Sequence, residues 1–225
     1  MSITAVIPVR GGSTRITNKN MRPFAGSSLL DIKIEQLKRV EGIDKIIVSS
    51  DSQMMLDMAA AHGVTPKRRP DEYCDEKSKS FNEVVQYIAS EEVETEDMIW
   101  IPCVCPLLSD DSLKLGLKLF EQIRNGSLNA DSVVSARLLK EYVFDEKGPI
   151  NFSVEHHVPS QRLPNWHTIQ NGFFIAKRAD MEKWRFVYGP NPYLVEISKI
   201  EAIDIDEMVE FEMAEFLYKK INNQQ

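Results

Sequence analysis

Apolar and polar positions alternate between two periods along most of the chain. Short β-branched runs at residues 3–7 (ITAVI) and 45–50 (KIIVSS) read as strands. Between them, residues 29–40 place Leu30, Ile34 and Leu37 on one face at helical spacing, with Ser27 or Ser28 as the N-cap. The next helix is expected at 51–62, with Met54, Met55, Met58 and Ala59 as its apolar face and Gly63 as its stop. A short strand at 64–68, a helix at 80–90 and a strand at 98–101 continue the alternation. A helix at 112–123 follows, with Leu113, Leu117 and Phe120 inward, and then a strand at 132–136. Strands separated by crossover helices specify a mostly parallel α/β sheet covered on both faces.

The rhythm fails at residues 137–170, a polar stretch with Pro149, Pro159 and Pro164 and no clean period. It reads as an insertion, and excursions of this kind carry binding or oligomer contacts that a regular scaffold lacks surface for. Strands are expected again at 173–176, 193–197 and 202–205. A closing helix at 207–219 would turn Val209, Met213 and Phe216 to the core.

Composition narrows the partners. In 225 residues with 43% hydrophobic content there is material for one sizeable domain, so the whole of 1–225 is read as one unit carrying the insertion. A formal charge of -7 argues against nucleic acid or an anionic membrane as the main partner. The N-terminal apolar run is broken by Pro8 and Arg10, which fits neither a signal peptide nor a spanning helix, and three cysteines make no disulfide framework. A cytoplasmic protein with reduced thiols is expected. Cys103 and Cys105 lack a second Cys or His pair at zinc spacing and are read as buried structural thiols.

The candidate chemistry starts with the loop after the first strand, PVRGGSTRITNKN. In a parallel α/β sheet this loop is the usual phosphate site. Gly11 and Gly12 would allow close backbone approach and positive φ, while Arg10, Arg15 and Lys19 add charge. The spacing fits neither a Walker A loop nor a dinucleotide fingerprint, which leaves another kind of triphosphate loop or an ordinary turn with solvated cations. Near the C-terminus, Asp204 and Asp206 stand two apart. On a strand they would face one side and reach a single hard cation; alternatively, Asp206 simply caps the following helix.

The segment IPVRGGSTRITNKNMRPFAGSSLL resembles the opening of the CMP-sialic acid synthetases, the cytidylyltransferases that activate nonulosonic acids. The resemblance continues through DKIIVSSDSQMMLDMAAAHGV, RRPDEYCDEKSKS, CPLL, LPNWHTIQNGFFI and IDIDEMVEFEMAE, spanning nearly the whole chain. It implies a Rossmann-like nucleotidyltransferase domain in which residues 137–170 help form a homodimer. It also implies transfer from CTP to a 2-keto-3-deoxy sugar acid, with Mg2+ on Asp204 and Asp206. Arg10, Ser13, Lys19 and Asn20 match the family's nucleotide loop, and Arg69 and Ser80 its cytosine pocket. Asn171, with the adjacent Gln170, and Gln161 match its acceptor side. Arg10, Lys19 and Asp206 would carry the catalysis. The general base stays open between an Asp204 or Asp206 carboxylate and a metal-bound hydroxide.

Four positions depart from the family's pattern. Thr14 stands where it has lysine, with Arg15 next door as the substitute cation, and Thr17 replaces a proline. Pro102 and Leu108 replace a glutamine and an arginine of an acceptor-side segment. These departures motivate two alternatives: a different nucleotide or acceptor, or a catalytically weak nucleotide-binding homologue.

Overall fold

The computed structural model describes residues 2–13 and 15–222. Helix α1 (Leu29–Arg39) begins where Ser28, in extended conformation, accepts a hydrogen bond from the Asp31 N–H at 3.2 Å. Such a cap contributes about 1 kcal/mol. The periodicity then buries Leu30, Ile34 and Leu37 against the sheet. Strands β1 (Ile3–Pro8) and β2 (Lys45–Ser50) flank α1 in sequence and pair in parallel. Helix α2 (Gln53–Ala61) ends at Gly63, whose φ of +71° is the left-handed stop that glycine supplies at little cost. Met55, Leu56 and Ala59 carry its buried face, whereas Met54 is 63% exposed, so the apolar stripe lies one residue on from the expected one.

Strand β3 (Thr65–Arg68) is followed by α3 (Phe81–Tyr87), which passes into a π-turn at Ile88–Glu92. Strand β4 (Asp97–Trp100), helix α4 (Asp110–Arg124) and strand β5 (Ser132–Leu139) come next. The chain then leaves the sheet and forms the small ladder of β6 (Phe144–Asp145) and β7 (Gly148–Pro149). It re-enters as the long strand β8 (Trp166–Lys177). Helix α5 (Arg178–Trp184), strand β9 (Pro192–Glu196) and helix α6 (Met208–Asn222) complete the order.

The main sheet runs β3-β2-β1-β4-β8-β5-β9, with β8 antiparallel to both neighbours. The strand order reverses between β1 and β4, which opens a crevice at their carboxyl ends. One core layer contains α1, α4 and α6 residues such as Leu30, Phe120 and Phe211. The other contains Val85, Trp100, Phe174 and Met181 from the α3 and α5 side.

Two expectations fail at the C-terminus. Residues 202–205 form no strand; the one backbone–backbone bond of Ile205 among the described residues is its N–H to Val104 O at 2.9 Å. Helix α6 buries Phe211 and Ala214, whereas Val209, Met213 and Phe216 are 64%, 45% and 66% exposed. Phe211 is the residue that packs edge-on to Phe24, ring centroids 5.3 Å apart, and this contact chooses the face.

Candidate functional site

A cavity of about 520 Å³ occupies the crevice. The loop after β1 supplies one wall, with Arg10, Ser13, Arg15, Lys19 and Asn20 in the lining. Asn18 adopts φ +55°, a left-handed conformation asparagine tolerates, and its carbonyl accepts from Met21 and Arg22 N–H. That turn presents Lys19 and Asn20 inward. Gly11 and Gly12 do not take positive φ. Gly11 N–H donates to Asp51 Oδ1 at 2.8 Å, and a Cβ on Gly12 would meet nothing within 4 Å, so open approach to the backbone is what the second glycine provides. Thr14 lies outside the described residues.

Each described cation of this loop rests on a protein acceptor. Arg10 pairs with Glu76 at 2.6 Å and donates to Cys74 O at 3.2 Å. Arg15 pairs with Asp206 at 2.7 Å, and Lys19 Nζ donates to Ile205 O at 2.6 Å. Burial pulls the Lys19 ammonium below its usual pKa, against the opposing pull of Asp206 and Asp204. Arg69 is 3% exposed, and its guanidinium is spent on Val9 O (2.8 Å), Ser49 Oγ (3.2 Å) and Cys74 Sγ (2.9 Å). The side chain therefore braces β1, β2 and the loop at 70–79 around the cavity.

The opposite wall is built by a bulge in β8. Between Val134 and Ala136 the register with β8 jumps, and Ser135 Oγ accepts from Phe173 N–H at 3.0 Å while donating to Gln170 O at 2.8 Å. A Cβ on Gly172 would meet Ser135 Oγ at 2.9 Å, so the Asn171-Gly172 step is a close backbone approach here and not a hairpin turn. The bulge sends Asn171 into the cavity, where its Nδ2 donates to Asp204 Oδ2 at 2.7 Å. Asp204 Oδ1 is buried with no partner among the described residues. Burial raises the Asp204 pKa, opposed by the Asn171 hydrogen bond. Helix α6 starts at Met208, with Phe211 N–H on Glu207 O, so Asp206 sits ahead of the cap and its carboxylate faces Arg15.

Six residues expected at the site are not in the cavity lining: Gly11, Gly12, Ser80, Gln161, Gln170 and Asp204, the last reaching it through its hydrogen bond to Asn171. Ser80 caps α3 and its hydroxyl is bound in a capping box with Glu83. Gln161 is exposed in the excursion, and Gln170 turns back to Thr168 Oγ1 at 2.9 Å. Cys103 and Cys105 are buried, with thiols pushed up to about 12 by burial. The sequence patterns did not single out Glu76 or the aromatic wing of Phe81, Trp100, Phe174, Phe186 and Tyr188 in the lining, nor Asp51, which holds the Gly11 N–H outside it. Position alone could have marked Asp51, which directly follows the second strand at the sheet's carboxyl edge.

A family model described as Cytidylyltransferase matches residues 4–162. The chain belongs to the cytidylyltransferase family. Relatives include the pseudaminic acid cytidylyltransferase of Campylobacter jejuni, 26% identical over 227 residues covering 97% of both chains. The N-acylneuraminate cytidylyltransferase of Escherichia coli is 26% identical over 236 residues, covering 99% of this chain and 53% of that one. Among solved structures, CMP:2-keto-3-deoxy-manno-octonic acid synthetase complexed with CTP superposes with a TM-score of 0.69 at 14% identity. It covers 98% of this chain and 99% of that one, a likeness of fold.

In this cytidylyltransferase the donor set suits a magnesium ion shared with substrate. Among the described residues no three His, Cys, Asp or Glu side chains converge, so there is no all-protein metal cage. Magnesium is commonly held by one or two carboxylates plus substrate phosphates. Asp204 and Asp206 are hard oxygen donors, and the orphaned Asp204 Oδ1 is an acceptor awaiting a partner.

Proposed function

We propose that the chain transfers CMP from CTP to the anomeric hydroxyl of a 2-keto-3-deoxy sugar acid, a sialic acid or related nonulosonic acid, releasing pyrophosphate. The observation that carries this is one cavity lined by the cations Arg10, Arg15 and Lys19 together with Asn171 and Asp206, with Asp204 hydrogen-bonded to Asn171 and Arg15 paired with Asp206. The anomeric oxygen forms a bond to the α-phosphorus as the bond to the bridging oxygen breaks, the bridging oxygen leaves with the pyrophosphate, and the hydroxyl proton passes to an Asp204 or Asp206 carboxylate or to solvent. Arg10 and Lys19 neutralise charge building on the leaving pyrophosphate, and Arg15 supplies the third cation beside them. Asn20 and the Gly12 backbone would donate to nucleotide oxygens. A magnesium ion on Asp204 and Asp206 would polarise the α-phosphate and screen charge. Asn171 orients the Asp204 carboxylate by holding its Oδ2, while Oδ1 is buried with no partner among the described residues.

The aromatic wing supports an acceptor with apolar substituents, such as acylamino or methyl groups, because Trp100 and Phe174 are each 3% exposed while still lining the cavity. Pro102, the replacement for a family glutamine, lines the same space and favours an acceptor less polar on that side. Self-association is supported by the excursion at 140–165, where Phe144, Ile150 and Val154 are 60%, 48% and 72% exposed. We read the chain as a homodimer through this arm, to be checked by sedimentation of the wild type against Val154→Asp. No helix among the described residues is long and apolar enough to cross a membrane. A cytoplasmic setting is supported by the free thiols of Cys74, Cys103 and Cys105.

Nucleotide choice is tested by thermal shift, since a ligand at about 100 times its dissociation constant stabilises by about 2.7 kcal/mol. CTP is expected to raise Tm more than UTP, GTP or ATP. Equal shifts for all four would remove the cytidine assignment, and binding of CTP without turnover of any acceptor would favour a catalytically weak homologue.

A further inference from the structure

Helix α1 carries a charged side chain that the reaction does not use. Lys33 is 0% exposed, yet among the described residues its Nζ meets only neutral oxygens: Gln36 Oε1 at 2.8 Å and Cys105 O at 3.3 Å. Gln36, 4% exposed, uses its other end to donate to Leu108 O at 2.6 Å and to Asp110 Oδ1 at 3.3 Å. A buried amine without a carboxylate partner is costly, and a leucine or methionine would fill the same volume more favourably. What Lys33 and Gln36 supply instead is a pair of fixed donors to the backbone of the loop that follows β4.

That loop leads directly to the acidic pair. Its Val104 carbonyl accepts the Ile205 N–H at 2.9 Å, the residue between Asp204 and Asp206. Ile205 O in turn holds Lys19 Nζ at 2.6 Å. Residues 202–206 have no strand ladder, so this bond to Val104 is the backbone anchor of the acidic pair. Pro102, Cys103 and Val104 also line the cavity.

We propose that Lys33 and Gln36 are positioning residues: from behind the sheet they hold the loop at 102–108, and through Val104 that loop sets where Asp204, Asp206 and Lys19 stand. The link to turnover rests on the reaction assigned above; the link to loop geometry does not.

Two readouts separate these claims. Amide hydrogen exchange on the full chain is compared for wild type, Lys33→Met and Gln36→Glu. The account expects Ile205 N–H to exchange at least roughly 10-fold faster in both variants while β1 and β2 amides keep wild-type protection. Kinetics with CTP and an accepted sugar acid should show kcat lowered roughly 10- to 100-fold with the KM for CTP within about twofold, because misplacing a catalytic group by about 1 Å is enough for such a loss. Lys33→Met should hold or raise Tm. Unchanged Ile205 exchange in both variants overturns the proposal, as does a fall in Tm with faster exchange across the whole sheet. If the wild type turns over no acceptor, the assigned reaction fails, and exchange at Ile205 still decides the positioning role.

Discussion

Replacing Asp204 with asparagine should make the protein more stable and nearly inactive. In the wild type one carboxylate oxygen accepts from Asn171 at 2.7 Å and the other is buried without a partner. The net effect of the surroundings is to disfavour the charged form, since burial outweighs the Asn171 hydrogen bond and the pull of Lys19 and Arg15. An asparagine keeps the size and, with its amide oxygen toward Asn171, keeps that bond while removing the buried charge. An unsatisfied buried polar group costs about 1–3 kcal/mol, and part of this persists as an unpartnered amide, so a gain of about 1 kcal/mol is expected. For a chain of this size that corresponds to a Tm higher by about 2–4 °C. Loss of one charge from the acidic pair should lower kcat by about 10²–10³, the range seen when a preorganised electrostatic group is removed. Scanning calorimetry and a pyrophosphate-release assay measure both on the same preparation. A variant that is less stable and fully active would refute the reasoning, because the orphaned oxygen would then be neither strained nor used.

Two other perturbations follow from named contacts. Arg10 is engaged by the largely exposed Glu76, and a pair of that kind contributes about 0.2–1 kcal/mol, so Glu76→Gln should lower the KM for CTP by up to about fivefold. The gain should shrink at high salt, and an unchanged KM in low-salt buffer would show that Arg10 does not meet the triphosphate. Asp97, 0% exposed and 2.7 Å from Arg124, has its pKa pushed up from 3.8 to about 6 by burial, against the pull of Arg124. Because the folded value is the higher one, this group's contribution to stability is fully present below pH 4 and is lost as the pH rises to about 6. That displacement corresponds to about 3 kcal/mol, and urea denaturation across this range should show the slope in wild type and a flatter profile in Asp97→Asn. A parallel pair of profiles would contradict it.

Much of the fold was legible because local period and tertiary burial agree in its first half. Residues 45–50 are apolar enough to read as a strand, and Ser28 with the spacing of Leu30, Ile34 and Leu37 fixes α1. The closing helix was misread because it is apolar on two faces, and period alone cannot choose between Phe211 with Ala214 and Val209 with Phe216. The choice is made by Phe24, nearly two hundred residues away. Strand β8 hides its reversal for a similar reason: direction depends on the partners β4 and β5, and nothing in WHTIQNGFFIAK encodes it locally. At the site, the cations and carboxylates were legible as charges on loops. Arg69 as a brace, Asn171 as the orienter of Asp204, and Lys33 behind the loop required the packing, since each acts on a residue more than 30 positions away.

The most direct test of the central claim is pyrophosphate release by the purified chain with CTP, Mg2+ and a panel of nonulosonic acids bearing acylamino groups. The account predicts release that depends on both CTP and one acceptor class, a CMP-sugar of the matching mass, and a loss of about 10²-fold or more in Lys19→Ala. Release from CTP that is unaffected by Lys19→Ala, or no release with any acceptor while CTP binds, would contradict it.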